Sequence, residues 1–238
     1  MKTVRYAIYF APPADDRLSQ TAGRWLGRDA FTGETSEFPA LAGLDAETRH
    51  TLTADPRRYG FHGTLKAPFA LAEGSNEAEL VAAFEAFAAD LEPFEIPELT
   101  LHQLGPFFAL VSATHCGPLQ DLAAQAVQHF EPYRAPLSEA DMARRSPDKL
   151  PERQREYLRK WGYPYVFEEF QFHLTLTGPV PAETAKPMRT MLENTFAEHI
   201  GKPLDVASVA LFVEPHRGAP FLVHSLLPLG SATQRKIA

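Results

Sequence analysis

The sequence is short of cysteine, of long apolar runs and of net positive charge, and each shortage argues against a class of protein. Its one cysteine, Cys116, cannot form a disulfide within the chain, so a reducing compartment and a cytoplasmic location are expected. No apolar run approaches the ~20 residues of a membrane-spanning helix, and the N-terminal stretch lacks the profile of a signal peptide. The sequence therefore predicts a globular protein without a membrane partner.

Positive charge is scarce, because 23 lysines and arginines face 30 aspartates and glutamates, for a formal net charge of −7. A protein that grips extended nucleic acid usually presents a basic face, since neutralised phosphates supply much of the affinity. The acidic balance argues against such a partner and favours a small substrate. Local positive charge concentrates at residues 57–58 and across 134–160. The sequence does not specify an oligomeric state.

The chain does contain an internal repeat, which is the most informative pattern in the sequence. The segments 59–69 (YGFHGTLKAPF) and 170–180 (FQFHLTLTGPV) carry histidines that are 111 residues apart (173 − 62). The same shift superimposes five of the eight positions from 61 to 68, including His62 on His173 and Thr64 on Thr175. Each His-x-Thr segment is followed by a helical pattern and then by strands. The repeat indicates one duplicated unit.

The element pattern predicts an α+β fold with two pseudo-symmetric lobes, each an antiparallel sheet flanked by helices. Lobe one spans about 1–105 and lobe two about 106–230, with a charged helical insertion at about 134–168. Residues 29–56 carry turn residues and are expected to be mostly loop. The segments 59–69 and 170–180 are expected to be strands that line a central cleft, within a single domain over 1–238.

Strand alternation predicts which side chains of the two segments enter the cleft, because successive residues of a strand point to opposite faces. In 170–180, Phe170, Phe172, Leu174 and Leu176 form the core face, while His173 and Thr175 lie on the polar face. In 59–69, the polar face is predicted to combine Arg58, His62, Thr64 and Lys66. Each segment thus delivers an imidazole and a hydroxyl to one surface.

Two imidazoles and two hydroxyls in one groove suit phosphodiester chemistry without a metal or cofactor. One histidine can accept a proton while the other donates one, and a bell-shaped pH profile with limbs within about pH 5–8 is expected. The threonine hydroxyls can donate hydrogen bonds to phosphoryl oxygens as charge develops. Neither HxH nor HExxH occurs, and threonine is a poor metal ligand. No metal site is expected.

The paired motifs FHGTL (61–65) and FHLTL (172–176) resemble those of the 2H phosphoesterase superfamily, which includes LigT-like RNA cyclic phosphodiesterases. The stretch 161–178, with the preceding insertion, is similar to a narrower branch associated with phosphonate utilisation. The resemblance implies that His62 and His173 are the acid/base pair and that Thr64 and Thr175 bind the phosphate. It also implies a small cyclic substrate such as a phosphoribosyl 1,2-cyclic phosphate.

Further candidates for substrate binding are Lys66 and Arg58, on the predicted polar face, and Tyr163 and Tyr165, next to the second segment. The insertion is either a solvated helical excursion or a lid whose cations meet a phosphorylated substrate. Hydrolysis of a small cyclic phosphodiester is the leading hypothesis. The alternatives are an RNA-end or nucleoside 2′,3′-cyclic phosphodiesterase, and a non-catalytic nucleotide-binding module.

Overall fold

The computed structural model describes residues 3–37 and 43–230 of the chain. The strands are β1 (Arg5–Phe10), β2 (Gly63–Phe69), β3 (Phe94–Ile96), β4 (Leu99–Leu104), β5 (Phe107–Ser112), β6 (Leu174–Thr175), β7 (Leu204–Val206), β8 (Ser208–Glu214) and β9 (Leu222–Pro228). The α-helices are α1 (Arg17–Leu26), α2 (Ala46–Leu52), α3 (Ala54–Tyr59), α4 (Glu77–Ala89), α5 (Gly117–His129), α6 (Glu139–Arg144), α7 (Glu152–Trp161) and α8 (Ala182–Thr195). None of the described helices is long and apolar enough to cross a membrane.

Seven strands form one sheet in the order β4-β5-β6-β2-β1-β8-β9, and β3 pairs with β7 in a second, two-stranded sheet. Every strand pair is antiparallel. The predicted α+β class, with antiparallel strands flanked by helices, is confirmed. The two expected sheets are joined into one, because β2 and β6 are hydrogen-bonded neighbours at its centre.

The sheet order is pseudo-symmetric about the β2–β6 pair, as a duplicated unit requires. Reading outward, β6, β5 and β4 on one side correspond to β2, β1 and β8 on the other. The outermost strand of each triplet comes from the other half of the sequence, since β4 pairs with β5 and β8 pairs with β1. Each half of the sequence therefore completes the sheet around the other half.

Alternation along β1 places the two faces of the sheet in different environments. Tyr6, Ile8 and Phe10 point into the main core, which the helices α1, α4, α5 and α8 cover. Ala7 and Tyr9 point to the opposite face, into a smaller apolar cluster. This second face carries the candidate site, and β1 is buried on both sides because apolar residues occupy both of its faces.

Several local predictions require correction. Residues 46–59 form the helices α2 and α3 rather than loop, while part of the predicted loop, 38–42, lies outside the described residues. The strand predicted over 59–69 begins only at Gly63, because α3 continues to Tyr59. The strand predicted over 170–180 is limited to Leu174–Thr175, after a short 3-10 helix at Phe167–Glu169.

The segment 134–168 contains α6, α7 and short 3-10 turns. Glu169 accepts hydrogen bonds from Arg153 and Gln154, and Tyr157 donates one to Glu168. These contacts fix α7 against the segment that leads into β6. The insertion consequently lies beside the second His-x-Thr segment.

Candidate active site

The two His-x-Thr segments lie side by side and antiparallel at the centre of the sheet. Gly63 of β2 is the partner of Leu174 of β6. Because the two strands run in opposite directions, the residue before Gly63 lies across from the residue after Leu174, and the reverse. This register sets His62 across from Thr175 and Thr64 across from His173. Side chains directly opposite in an antiparallel pair have Cβ atoms ~4.5–5.5 Å apart. The register thus brings all four polar side chains together in a crossed arrangement.

The absence of a side chain at Gly63 allows this close pairing. A Cβ atom placed on Gly63 would come within 2.5 Å of the Phe172 ring, which belongs to the other segment. The Phe172 side chain is buried in the main core, directly before His173. Glycine between His62 and Thr64 therefore lets the aromatic ring of one segment pack onto the backbone of the other.

His62 is half-buried, with both ring nitrogens in contact. Its Nδ1 lies 3.0 Å from the carbonyl oxygen of Gly60, and its Nε2 lies 3.2 Å from Oγ1 of Thr64. Since a carbonyl can only accept, the ring donates through Nδ1–H, and Nε2 accepts from the hydroxyl when the ring is neutral. The imidazole also stacks on Tyr9, with ring centroids 3.9 Å apart.

His173 is held in the same way as His62. Its Nδ1 lies 2.7 Å from the carbonyl oxygen of Gln171, two residues earlier in the chain. The carbonyl that contacts His62, that of Gly60, is likewise two residues earlier. The Phe107 ring lies beside it, at 6.0 Å between centroids. In both segments a backbone carbonyl fixes the ring orientation and leaves Nε2 as the atom available for proton transfer.

The environment of His62 changes its acidity. Burial, together with the charge of nearby His173, lowers the pKa of His62 from 6.5 to about 4, against the opposing effect of the Gly60 hydrogen bond. The ring is therefore neutral at physiological pH. A neutral imidazole can accept a proton from a nucleophile through Nε2 once the Thr64 hydroxyl turns away from it.

Two adjoining cavities open over the four side chains. The His62 cavity, of about 290 Å³, is also lined by Thr64 and Thr175. The His173 cavity, of about 490 Å³, is lined by polar and aromatic groups that include Gln154 and Gln171. Both cavities share Thr64, Phe107 and Tyr163, so they form one cleft with a histidine on either side.

Lys66 does not join this face, which corrects the sequence prediction. Thr64 pairs with Tyr9 while Lys66 pairs with Ile8, so two steps along β2 match one step along β1. Such an irregularity reverses the alternation beyond it. Lys66 consequently points to the helix side, where its Nζ donates to the carbonyl of Val127 and pairs with Glu131 at 2.9 Å.

Arg58 is also outside the cleft, because it lies in helix α3 rather than in a strand. Its guanidinium donates to Glu214 at 2.8 Å and stacks over the Tyr59 ring at 4.3 Å. Tyr59 in turn lines the His62 cavity. Arg58 therefore contacts the wall of the site rather than its interior.

The two predicted tyrosines do reach the cleft. Tyr163 lines both cavities, and Tyr165, which is partly exposed, lines the His173 cavity. Sequence reasoning did not single out Tyr9, Phe107 or Arg145, which also line the cleft. Tyr9 and Phe107 lie on strands whose neighbours only the sheet order reveals, and Arg145 was one of many cations in the insertion.

Within residues 3–37 and 43–230, no group of three or more His, Cys, Asp or Glu side chains is positioned to hold a metal ion. The cleft brings together two imidazoles, two threonine hydroxyls, several aromatic rings and the charged side chains of Asp55 and Arg145. Metal independence stays a prediction that an assay must test.

Comparison with known families gives a match over most of the chain. Residues 64–222 match the family described as "Protein of unknown function (DUF1045)". The matched range contains the second His-x-Thr segment and begins at Thr64, two residues after His62. The family thus includes one complete segment and the threonine of the other.

Two curated relatives share the name ribose 1,5-bisphosphate phosphokinase PhnN. The chain is 36% identical over 235 residues to the protein from Janthinobacterium sp. (strain Marseille) and 34% identical over 236 residues to that from Laribacter hongkongensis (strain HLHK9). The alignments cover 97% and 98% of this chain but 52% and 54% of the relatives. The chain spans about half the length of the curated relatives it matches.

Similar solved structures include E. coli LigT complexed with 3′-AMP, at 13% identity and a TM-score of 0.45. A structure described as a phosphoesterase has 16% identity and a TM-score of 0.43. In both comparisons the similarity covers 97% of this chain and 100% of the other.

Proposed function

The chain belongs to the DUF1045 family, and we propose that it is a phosphoesterase that hydrolyses a small cyclic phosphodiester with two histidines and no metal. The observation that carries the proposal is the antiparallel pairing of Gly63 with Leu174, because this register sets each histidine opposite the threonine of the other segment. The matched Nδ1 contacts of His62 and His173 support it, because they prepare both Nε2 atoms for proton transfer. A phosphate between the segments would meet a proton carrier on either side.

The lowered pKa of His62 fits the role of general base. Neutral His62 accepts a proton from water through Nε2 as the water oxygen attacks phosphorus. His173, in its protonated form, donates a proton to the leaving ester oxygen of the cyclic phosphate as the bond between that oxygen and phosphorus breaks. The product is a phosphomonoester with a free hydroxyl, and the two histidines have exchanged protonation states. A proton exchange with solvent then restores them.

The two threonines fit the role of phosphate ligands. Thr64 is shared by both cavities and Thr175 lines the His62 cavity, so each hydroxyl is beside the expected phosphate position. A hydroxyl that donates to a non-bridging oxygen stabilises the charge that develops as the nucleophile adds. When phosphate binds, Thr64 can turn its proton from Nε2 of His62 to the phosphoryl oxygen.

The substrate that fits best is a cyclic phosphate on a phosphorylated ribose. Gln154, Tyr163 and Tyr165 of the insertion line the cleft beside β6, and an added wall there favours a small molecule over a polymer end. The curated relatives carry a name that refers to a ribose bisphosphate. The stretch 161–178, with the insertion before it, also resembles the superfamily branch associated with phosphonate utilisation. These three points support a phosphoribosyl 1,2-cyclic phosphate.

A panel of phosphate esters assayed with EDTA tests the proposal. We expect hydrolysis of 5-phosphoribosyl 1,2-cyclic phosphate to exceed that of nucleoside 2′,3′-cyclic phosphates and of linear diesters, with no loss of rate when the chelator is present. The purified double variant His62→Ala/His173→Ala controls for contaminating phosphatases. Strict dependence on an added divalent ion would contradict the mechanism.

The other candidate functions give different results in the same panel. Faster cleavage of 2′,3′-cyclic oligonucleotides would identify RNA-end processing and reject the small-substrate assignment. Binding of a nucleotide without turnover of any ester would identify a binding module. The matched arrangement of His62 and His173 favours turnover, because a binding site alone has no need for two oriented proton carriers.

The acidic limb of the pH profile is expected to lie below the range that histidine normally gives. The profile of kcat/KM reports the free enzyme, in which His62 has a pKa of about 4. As pH falls through this value, His62 becomes protonated and can no longer accept a proton. We therefore expect kcat/KM to stay high at pH 5 and to fall near pH 4, below the pH 5–8 window expected from the sequence.

The measurement is kcat/KM from pH 3.5 to 9, with the enzyme returned to pH 7 after each acid exposure to separate titration from unfolding. An acidic limb near pH 6.5 with full recovery would contradict the role of a low-pKa base. Bound phosphate carries negative charge and should raise the pKa of His62 in the complex. The acidic limb of the kcat profile should therefore lie at a higher pH than the acidic limb of the kcat/KM profile.

A further inference from the structure

The charge of the cleft is uneven, and one side chain accounts for its positive part. Within the portions of the chain that the structure describes, Arg145 is the only lysine or arginine that lines either cavity. It belongs to the His62 cavity and follows the last turn of α6 in the insertion. The His173 cavity instead presents amides, tyrosines and Glu169, whose carboxylate is paired with Arg153.

Arg145 is stacked but not neutralised. Its guanidinium lies 5.0 Å from the centre of the Tyr163 ring, and no carboxylate of residues 3–37 or 43–230 is within ion-pair distance of it. Asp55, the carboxylate of the same cavity, makes no ion pair with it. A guanidinium that stacks by its face keeps its in-plane N–H donors free for another ligand.

The insertion is held in place around this arginine. Asp141 of α6 pairs with Arg217, in the turn between β8 and β9, at 2.6 Å and with Arg144 at 2.9 Å. Arg144, directly before Arg145, thus forms an ion pair within α6, and it does not line the cleft. The two adjacent arginines have different surroundings, which provides a matched pair for experiment.

We propose that Arg145, stacked on Tyr163, binds a second phosphate of the substrate, distant from the one that reacts. This inference rests on the proposed function and deepens it by assigning the specificity for a doubly phosphorylated molecule. The planar fork of a guanidinium matches a phosphate with two parallel hydrogen bonds. Because Arg145 lines the His62 cavity, the second phosphate lies on the His62 side of the cleft, and the substrate has one orientation.

The test compares Arg145→Ala with Arg144→Ala on two substrates, ribose 1,2-cyclic phosphate with and without a 5-phosphate. A charge-assisted bidentate contact predicts a ~10–100-fold loss of kcat/KM for the doubly phosphorylated substrate in Arg145→Ala. For the substrate without the 5-phosphate, kcat/KM of Arg145→Ala should fall by less than about threefold, since this substrate makes no such contact. Arg144→Ala should have the same ratio of kcat/KM values for the two substrates as wild type. Arg145→Lys should recover part of the loss, because lysine keeps the charge without the fork.

The outcomes separate this inference from the proposed function. If wild type cleaves both substrates and Arg145→Ala lowers both equally, the second-phosphate assignment is wrong and the phosphoesterase proposal stands. If wild type cleaves neither, the proposed function fails, and calorimetric titration with ribose 1,5-bisphosphate decides the inference. Equal affinity of wild type, Arg144→Ala and Arg145→Ala for that ligand would overturn it.

Discussion

Replacement of His62 or His173 by alanine should lower kcat for the cyclic substrate by ~10²–10⁴-fold, the usual contribution of a positioned proton carrier. Each ring is oriented by a carbonyl two residues upstream, and Nε2 of His62 contacts the hydroxyl of Thr64. Neither threonine can replace an imidazole, because a threonine hydroxyl does not act as a general acid or base at neutral pH. Steady-state kinetics with 5-phosphoribosyl 1,2-cyclic phosphate measure the effect.

The double variant should lose little more than the worse single variant, because two groups that act in one proton-transfer cycle are not additive. His115→Ala is the matched control, since His115 is exposed and lies outside both cavities. Thermal unfolding checks that His62→Ala, which loses its stacking on Tyr9, is still folded. Full activity in the double variant would refute two-histidine catalysis.

Replacement of Glu214 by alanine should lower the free energy of unfolding by ~3 kcal/mol, the largest stability effect expected for a polar residue here. Glu214 is fully buried in β8 and joins Arg5, at 2.5 Å, to Arg58, at 2.8 Å. Burial alone would raise its pKa, but the hydrogen bonds from Arg5 and Gly218 hold the pKa of Glu214 below its usual range. Its removal leaves both arginines without their carboxylate, and Arg58 then keeps its hydrogen bond to the carbonyl of Ala219.

Urea denaturation at pH 7 measures this loss. Glu198→Ala is the control, because its ion pair with Arg17 is exposed and should contribute less than ~1 kcal/mol. Glu214→Gln keeps the shape of the side chain without its charge and should fall between wild type and Glu214→Ala. Equal stability of Glu214→Ala and Glu198→Ala would show that Arg5 and Arg58 find water or another acceptor.

The same network connects Arg58 to the wall of the site. Its side chain stacks on Tyr59, which lies 5.9 Å from the ring of His62 and lines its cavity. Loss of Glu214 should therefore also loosen the wall against which His62 packs. A reduced kcat in Glu214→Gln, at temperatures where the variant is folded, would be the functional sign of this coupling.

The central pair of segments could be read from the sequence because the information is local and repeated. Alternation over 170–176 separates buried Phe172 and Leu174 from half-buried His173 and Thr175, as the structure has them. The duplicated spacing then identifies His62 and Thr64 as the counterparts. Periodicity of this kind reports which face of a segment is apolar, whatever its neighbours are.

The sequence could not determine which strands are neighbours, and the errors follow from that. Lys66 lies on the opposite face from the one predicted, because the pairing of β2 with β1 is irregular beyond Thr64. Such a bulge depends on the partner strand as well as on the sequence of the bulged strand. Helix α3 replaced the start of the first strand, where Gly60 with a φ of 79° ends the helix. Tertiary contacts outweigh local propensity at such short elements.

The sequence by itself thus determined the α+β class, the repeat and the four side chains of the two His-x-Thr segments. Only the tertiary structure decided the crossed register of those side chains, the exchange of β4 and β8 between halves, and the position of Arg145 on Tyr163. The physical reason is the range of the interactions. Side-chain alternation is set by the backbone geometry of one segment, whereas strand order and the placement of a helical insertion are set by packing between segments far apart in the chain.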